Sequence, residues 1–597
     1  MKRGNISHWT NISQCQNLLF FAQLANELLF DYSIPSNRIP TLNSHFLCLD
    51  ALSAISSIDN NGVPEGTLKP IMEELYSALS KDTLYILTGE KPLHYFVKYQ
   101  SGKYRYSSNV NELNYIESKK IVSAINKKYF SGNSYFNKLK DKVIEIIIEN
   151  KTEQQDSLFR ITKSLLTEMV NLGYNSNFIF EQLRRCFFKY NEICSPDQIN
   201  CFFEPFTFEK HNYNVVFVAD KQINTLIEQL DDLSCLENYP AKTTSKIEKF
   251  FLKKNKEQDL YLEIERKALD PYSAAERAKK VLITNAAFYR MCDHNYVFNI
   301  EKSKCGVYDK DNHFTLIIKS ISAVQRAKTP SRENIIVKMN AAEKALSSVS
   351  NHGSYKDYFA LLNAASFHTL SLDSSSEQNQ LLDLWAIFES ILDISNKHTS
   401  DRIQQICIYL VPILKRHYIF SLFSQLANDI KNYSLVEYDR ITNSQSSKFE
   451  AIQKICEFVI LEEKEDERSA FINMCDDFPL LKERITYYNQ VLSTPNGIYN
   501  FVEKHSDRVR WQIMRIYRNR NLIIHNGDSM PYLKLLVENL HSYVDDFLNY
   551  IINSLSNGNS VDSMCQELFS KECEWLKTFS NKATKIKSNI IRELLQQ

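Results

Sequence analysis

The chain has 597 residues, and its 71 Lys plus Arg balance its 71 Asp plus Glu. That length exceeds what one hydrophobic core supports, so about two to four domains are expected. Zero net charge excludes a global field that draws the protein to nucleic acid or membrane, and leaves polyanion binding to a local cluster.

In chain order, the opening "MKRGNISHWTNIS" is basic but has no apolar run behind it, so no secretory signal is expected. "CQNLLFFAQLANELLF" has helical apolar spacing and is too short to span a bilayer. "DTLYILTG" and "HYFVKYQSGKYRY" have strand texture, the latter with a Ser-Gly turn. From about 113 to 190 the pattern is helical, and Gly173 is a C-terminal stop. Residues 1–204 are thus expected to form a mixed, mostly helical region.

Near 205 the texture changes. "YNVVFVAD", "LYLEIE", "YVFNIE" and "FTLIIKS" are short β-branched or aromatic runs. Asp270-Pro271 opens an amphipathic helix between the second and third. A small α+β module with a connecting helix is expected over 205–370. Cys292, Asp293 and His294 with Cys305 come nearest to a ligand cluster, but lack the second pair a closed zinc site needs. The thirteen cysteines are scattered without a CxxC pair and read as reduced thiols.

"SLDSSSEQNQ", 371–380, reads as a linker or a loop leading into a helix, and the chain beyond it is helical again over 371–597. In "CIYLVPILKRHYIFSLF", Lys415, Arg416 and His417 interrupt an otherwise membrane-like run. The fold class is therefore mainly α with a small α+β central module, in a protein expected to be cytoplasmic and free of membrane.

The chemistry concentrates in "IMRIYRNRNLIIHNG", 513–527. Ile513, Ile516, Tyr517, Ile523 and Ile524 fit one helix over about 504–525. Arg518 and His525, seven apart, share a face of it, as do Asn521 and His525. From Glu503 to His525 six cations (Lys504, Arg508, Arg510, Arg515, Arg518 and Arg520) face two acids, Glu503 and Asp507. Asn526-Gly527 closes the helix and puts His525 at its negative dipole end, where a cationic side chain is favoured. One reading is a basic, solvated helix face. The other is a phosphodiester site in which arginine neutralises phosphate and histidine moves protons.

Arg520-Asn521-Leu522-Ile523-Ile524-His525 resembles the RNxxxH form of the Rx4-6H motif of the HEPN superfamily, and "YRNRNLIIHNG" is similar to its Apea-like branch. "LLDLWAIFESIL" resembles the first HEPN helix of that branch, with Trp385 followed one turn later by Glu389. The resemblance covers about 375–555. It implies an antiparallel helical bundle that dimerises so that two motifs share one cleft. It also implies a metal-independent endoribonuclease without cofactor, cleaving RNA by attack of the ribose 2′-hydroxyl.

In that frame His525 is the general base or acid, Arg520 holds the phosphate and Asn521 orients either. Arg518 and Arg515 add to the RNA-binding field. Glu389 positions an arginine or the histidine, or is a salt bridge of pure architecture; Trp385 reads as core. Related proteins with long N-terminal regions often act as toxins in antiphage, abortive-infection defence, so residues 1–370 are expected to sense a phage-encoded trigger or inhibitor, or to restrain the nuclease. The competing readings are a non-catalytic scaffold that binds RNA, nucleotide or a protein partner, and an effector role for the central module.

Overall fold

The computed structural model describes residues 4–30, 38–60, 64–100, 103–189, 192–219, 233–236, 260–294, 304–309, 314–319, 324, 332–351, 355–392, 402–444, 447–527, 529–580 and 586–596. Among them helices dominate and strands are confined to a hairpin and one small sheet, in keeping with a mainly α chain carrying a small α+β module. No disulfide is formed among the cysteines whose side chains are described.

The chain forms two compact units. One comprises Met1–Glu168, Phe187–Ile199 and Ala327–Gln597; the other comprises Met169–Cys186 and Asn200–Arg326. These units do not follow the boundaries expected at 204/205 and 370/371. The N-terminal and C-terminal helical regions share one unit, because their buried side chains complete one another across hundreds of residues. The helices Arg332–Asn351 and Tyr355–Asp373 belong to that unit, not to the α+β module.

The smaller unit is built on an antiparallel sheet of β3 (His211–Ala219), β4 (Leu233–Leu236), β5 (Leu260–Ala268), β6 (Lys304–Asp309) and β7 (Phe314–Lys319), in the order β4-β5-β3-β6-β7. The helix Pro271–Cys292 covers it, packing Ala274, Ala278 and Leu282 against Val215, Phe217, Leu262, Ile264 and Val307. Asp270 caps that helix by accepting from Ser273 N at 2.9 Å, with Pro271 at its first position. The run "YVFNIE" lies outside the described residues. Cys305 is buried while Cys292 and His294 are exposed, so the weak ligand cluster is not assembled.

In the larger unit β1 (Val97–Gln100) and β2 (Lys103–Tyr106) pair antiparallel, and the Ser-Gly pair expected as their turn lies outside the described residues. "DTLYILTG" is instead a helix, Thr83–Thr88. Asp82 explains the difference: its carboxylate accepts from Leu84 N, capping the helix, and from the buried hydroxyls of Ser44 and Tyr135. A helix then forms in spite of β-favouring residues. Gly173, with φ of +112°, follows the helix Gln155–Asn171 as expected.

The helix Gln16–Leu28 is buried on every side, as a central helix must be, so its polar residues need internal partners. Asn17 donates to the carbonyls of Ile146 and Lys151, and Gln23 to that of Asp477. Glu27 receives both arms of Arg484, at 3.0 and 2.6 Å. The helix Arg402–Tyr433 is long and apolar enough to cross a membrane by length and composition, and just over half of its most apolar stretch is buried in this unit. Its interrupting cations have internal partners: Lys415 pairs with Glu503 and Glu572, and Arg416 donates to the Tyr550 hydroxyl at 3.3 Å.

The Glu27–Arg484 pair supplies a stability prediction. Burial pushes the Glu27 carboxyl up, but the charge and hydrogen bonds of Arg484 outweigh it and hold the carboxyl below the usual range. A carboxylate so lowered contributes stability that is present above its unfolded pKa and is lost as pH falls through its folded one. Arg484→Met, which leaves a buried charge uncompensated, is expected to cost about 3–5 kcal/mol in urea unfolding at pH 7. The difference from wild type should shrink as the pH drops below the ordinary carboxylate range.

Candidate functional site

The motif lies on the helix Pro495–Asn526, which begins earlier than the periodicity of its apolar residues suggests. Thr494 caps it, its hydroxyl accepting from Gly497 N at 3.1 Å, and Pro495 occupies the first position. At the other end Gly527 takes φ of +66° and its N–H bonds to the Ile523 carbonyl at 3.1 Å. A side chain at that left-handed position would strain the backbone, so glycine is the residue that lets the helix stop right after the histidine.

Burial divides the motif in two. Arg515, Arg518 and Asn519 are buried, while Ile524 and His525 are exposed and Arg520 and Asn521 are half-buried. Arg518 donates to the buried carboxylate of Asp50, on the N-terminal helix Ser44–Asp59. The Tyr532 hydroxyl donates to the other oxygen of Asp50 at 2.8 Å. Arg515 binds Glu74 of the helix Leu68–Ser80 and the side chain of Gln512, with Asp50 3.9 Å from its Nε. Burial alone would lower both guanidinium pKa values, but the facing carboxylates reverse this and keep both groups charged. The expectation that Arg515 and Arg518 widen a solvent-facing phosphate field is corrected: their charges are taken up inside the unit. Arg518 and His525 share a side of the helix as spaced, but the last turn runs beyond the material that covers Arg518.

Two further residues, not singled out from the sequence, fix the helix end. Asn519 is fully buried; its amide donates to the Arg515 carbonyl at 3.0 Å, and its oxygen accepts from Met530 N at 3.2 Å. This ties the chain beyond Gly527 back onto the helix. Gln378 reaches the hydroxyl of Ser529 at 3.4 Å. The asparagine carried a signal, an amide in a helix interior that needs a partner, which the adjoining arginines obscured.

The second marker meets the first. Ser376 caps the helix Glu377–Ile391, so of the run 371–380 only 374–376 is loop, its two ends belonging to the helices on either side. Trp385 is buried, as expected for core, and tilts against Tyr517 with ring centroids 5.5 Å apart. Its indole N–H donates to Glu389 Oε1 at 3.1 Å, and Glu389 Oε2 lies 3.5 Å from Arg520 Nη2. Arg520 also donates to the Asn521 side chain at 3.1 Å. Arg402, another residue absent from the sequence reading, brings its Nε to 3.8 Å from Glu389 Oε1. Trp385 thus orients Glu389, Glu389 holds Arg520, and Asn521 braces it, beside an exposed histidine at a helix C-terminus. Such a set can bind an oxyanion and shuttle a proton. The cleft of about 610 Å³ lined by Tyr85, Glu90, His94 and Tyr106 contains none of these residues.

The two halves of the motif should respond differently to truncation. Arg518→Ala leaves Asp50 buried without its cation and is expected to cost about 3–5 kcal/mol in chemical unfolding. His525→Ala, at an exposed position, should stay within about 0.5 kcal/mol of wild type.

A scan against protein-family models, a search of curated proteins and a search of solved structures each return no match to this chain.

Proposed function

We propose that the exposed end of this helix is the RNA-cleaving centre of a metal-independent endoribonuclease of HEPN type. The observation that carries the reading is the meeting of Glu389, Arg520 and Asn521 at the helix end where His525 faces solvent. In this mechanism His525 takes the proton of a ribose 2′-hydroxyl or returns one to the leaving oxygen. The 2′ oxygen bonds to phosphorus, the bond from phosphorus to the 5′ oxygen breaks, and the proton ends on that 5′ oxygen. Arg520 balances the charge on the phosphate oxygens, with Glu389 and Asn521 fixing its direction. No step needs a cofactor.

One chain offers one Arg/His set, so the reading includes a homodimer or larger even assembly in which two sets share a cleft, with residues about 375–555 as the dimerising antiparallel bundle. Exposure of Ile524 beside His525 supports an apolar contact there. The N-terminal helices hold the motif helix through Asp50 and Glu74, which supports their role as the restraining part. A cytoplasmic toxin of antiphage, abortive-infection defence, governed by a phage-encoded trigger or inhibitor, fits such an arrangement. The scaffold alternative draws on the same ion pair, because Glu389 offsets the charge of Arg520.

Incubating the purified chain with total cellular RNA and mapping the new ends separates the two. The nuclease reading expects 5′-hydroxyl and 2′,3′-cyclic phosphate termini. His525→Ala and Arg520→Ala should each lower cleavage by about 10²- to 10⁴-fold while leaving the fold intact, with a smaller loss for Asn521→Ala. Growth arrest on expression should vanish with the same variants. Strong inhibition of cleavage by EDTA at a temperature where the stripped chain stays folded, or cleavage undiminished in the His525 variant, would sink the nuclease reading and leave the scaffold.

A further inference from the structure

Away from the motif, two helices of the larger unit bring together an unused ligand set. His368 lies on the helix Tyr355–Asp373, and His541 and Asp545 lie one turn apart on the helix Leu533–Ser556. The Nε2 atoms of His368 and His541 are 3.6 and 4.0 Å from Asp545 Oδ1, and one donor atom from each residue falls within 4.8 Å of the others. The two imidazole rings stack with centroids 5.4 Å apart. Both contacts to Asp545 are too long for good hydrogen bonds.

His368 Nε2 is itself buried and has no hydrogen-bond partner. Buried ring nitrogens are normally satisfied, so an atom of this kind aimed at a second imidazole and a carboxylate calls for a ligand. Around a tetrahedral zinc ion, with metal–nitrogen and metal–oxygen distances near 2.0–2.2 Å, donor atoms stand roughly 3.3 Å apart. The present separations from Asp545 Oδ1, 3.6 and 4.0 Å, exceed that value by less than about 1 Å. Two imidazoles select zinc and its first-row neighbours over magnesium or calcium, which prefer all-oxygen shells.

We propose that His368, His541 and Asp545 bind one first-row divalent transition cation of the zinc class, with solvent completing the shell on the side of the half-exposed Asp545. The ion would clamp the helix Tyr355–Asp373 to the helix Leu533–Ser556. The latter helix also supports the Glu377–Ile391 helix, through Phe547 against Phe388 at 5.1 Å between centroids. None of the candidate RNA-site residues is a ligand, so the clamp is a device of stability and stands independently of the ribonuclease reading.

The test uses the full chain, stripped with EDTA and dialysed. Titration with zinc chloride should show saturable binding of one ion per chain together with a rise in Tm, whereas magnesium should do neither. His541→Ala and Asp545→Asn should each weaken binding by at least about tenfold, and Asp545, being half-exposed, can be changed without risk to folding. Cobalt bound at this site should give d–d absorption without thiolate charge-transfer bands, which distinguishes it from cysteine ligation. Absence of saturable binding, equal binding by wild type and both variants, or thiolate bands would overturn the proposal. RNA cleavage by the stripped protein below its lowered Tm reports on the ribonuclease reading separately.

Discussion

The buried half of the motif centres on one carboxylate. Asp50 comes from the helix Ser44–Asp59 and meets Arg518 and Tyr532 from the far end of the chain, 468 and 482 residues away in sequence. Arg515 is held beside them by Glu74. Burying such charges is costly, and the cost is offset only when every partner is in place. The network therefore acts less as a source of net stability than as a condition on geometry. The N-terminal helices must dock in one register on the Pro495–Asn526 helix, or a desolvated charge is left over. Glu27 and Arg484 impose the same condition between the Gln16–Leu28 helix and the helix Pro479–Leu492.

The network also changes what the basic run means. Six cations against two acids along the helix suggest a strong local positive field. In three dimensions Asp50, Glu74 and Glu389 come to Arg518, Arg515 and Arg520 from other helices, and Arg510 pairs with Asp507. Lys504 and Arg508 stay exposed nearer the middle of the helix, but at its C-terminal end what reaches solvent is a narrow set: part of Arg520, Asn521 and His525. Specific positioning of one guanidinium then matters more than the summed charge, because exposed fields are screened by salt within about 10 Å. Trp385 and Glu389 supply that positioning from the neighbouring helix.

Local chemistry was legible in the sequence. Asp270-Pro271 and Gly527 announced helix ends, and the helical apolar spacing of "CQNLLFFAQLANELLF" announced a helix. Glu389, expected to position an arginine or the histidine or to be purely architectural, meets Arg520, 131 residues away. What stayed hidden is whatever requires knowing who lies opposite. "DTLYILTG" has strand residues, but Asp82, satisfied by Ser44 and Tyr135, makes it a helix. Arg515 and Arg518 look no different in sequence from Arg520; only the arrival of Asp50 and Glu74 separates buried from exposed. The compact units cross the expected boundaries for the same reason, since pairs such as Gln512 with Thr41 join N-terminal and C-terminal helices into one unit.

The claim that Asp50 and Arg518 together fix the motif helix is tested most directly by a double-mutant cycle with Asp50→Asn, Arg518→Met and their combination, measured by chemical unfolding. Residues in a shared buried network couple, whereas independent sites add within about 0.5 kcal/mol. The predicted result is a coupling of about 2–3 kcal/mol, with the double variant more stable than the sum of the single losses allows. Additivity within about 0.5 kcal/mol would contradict the account.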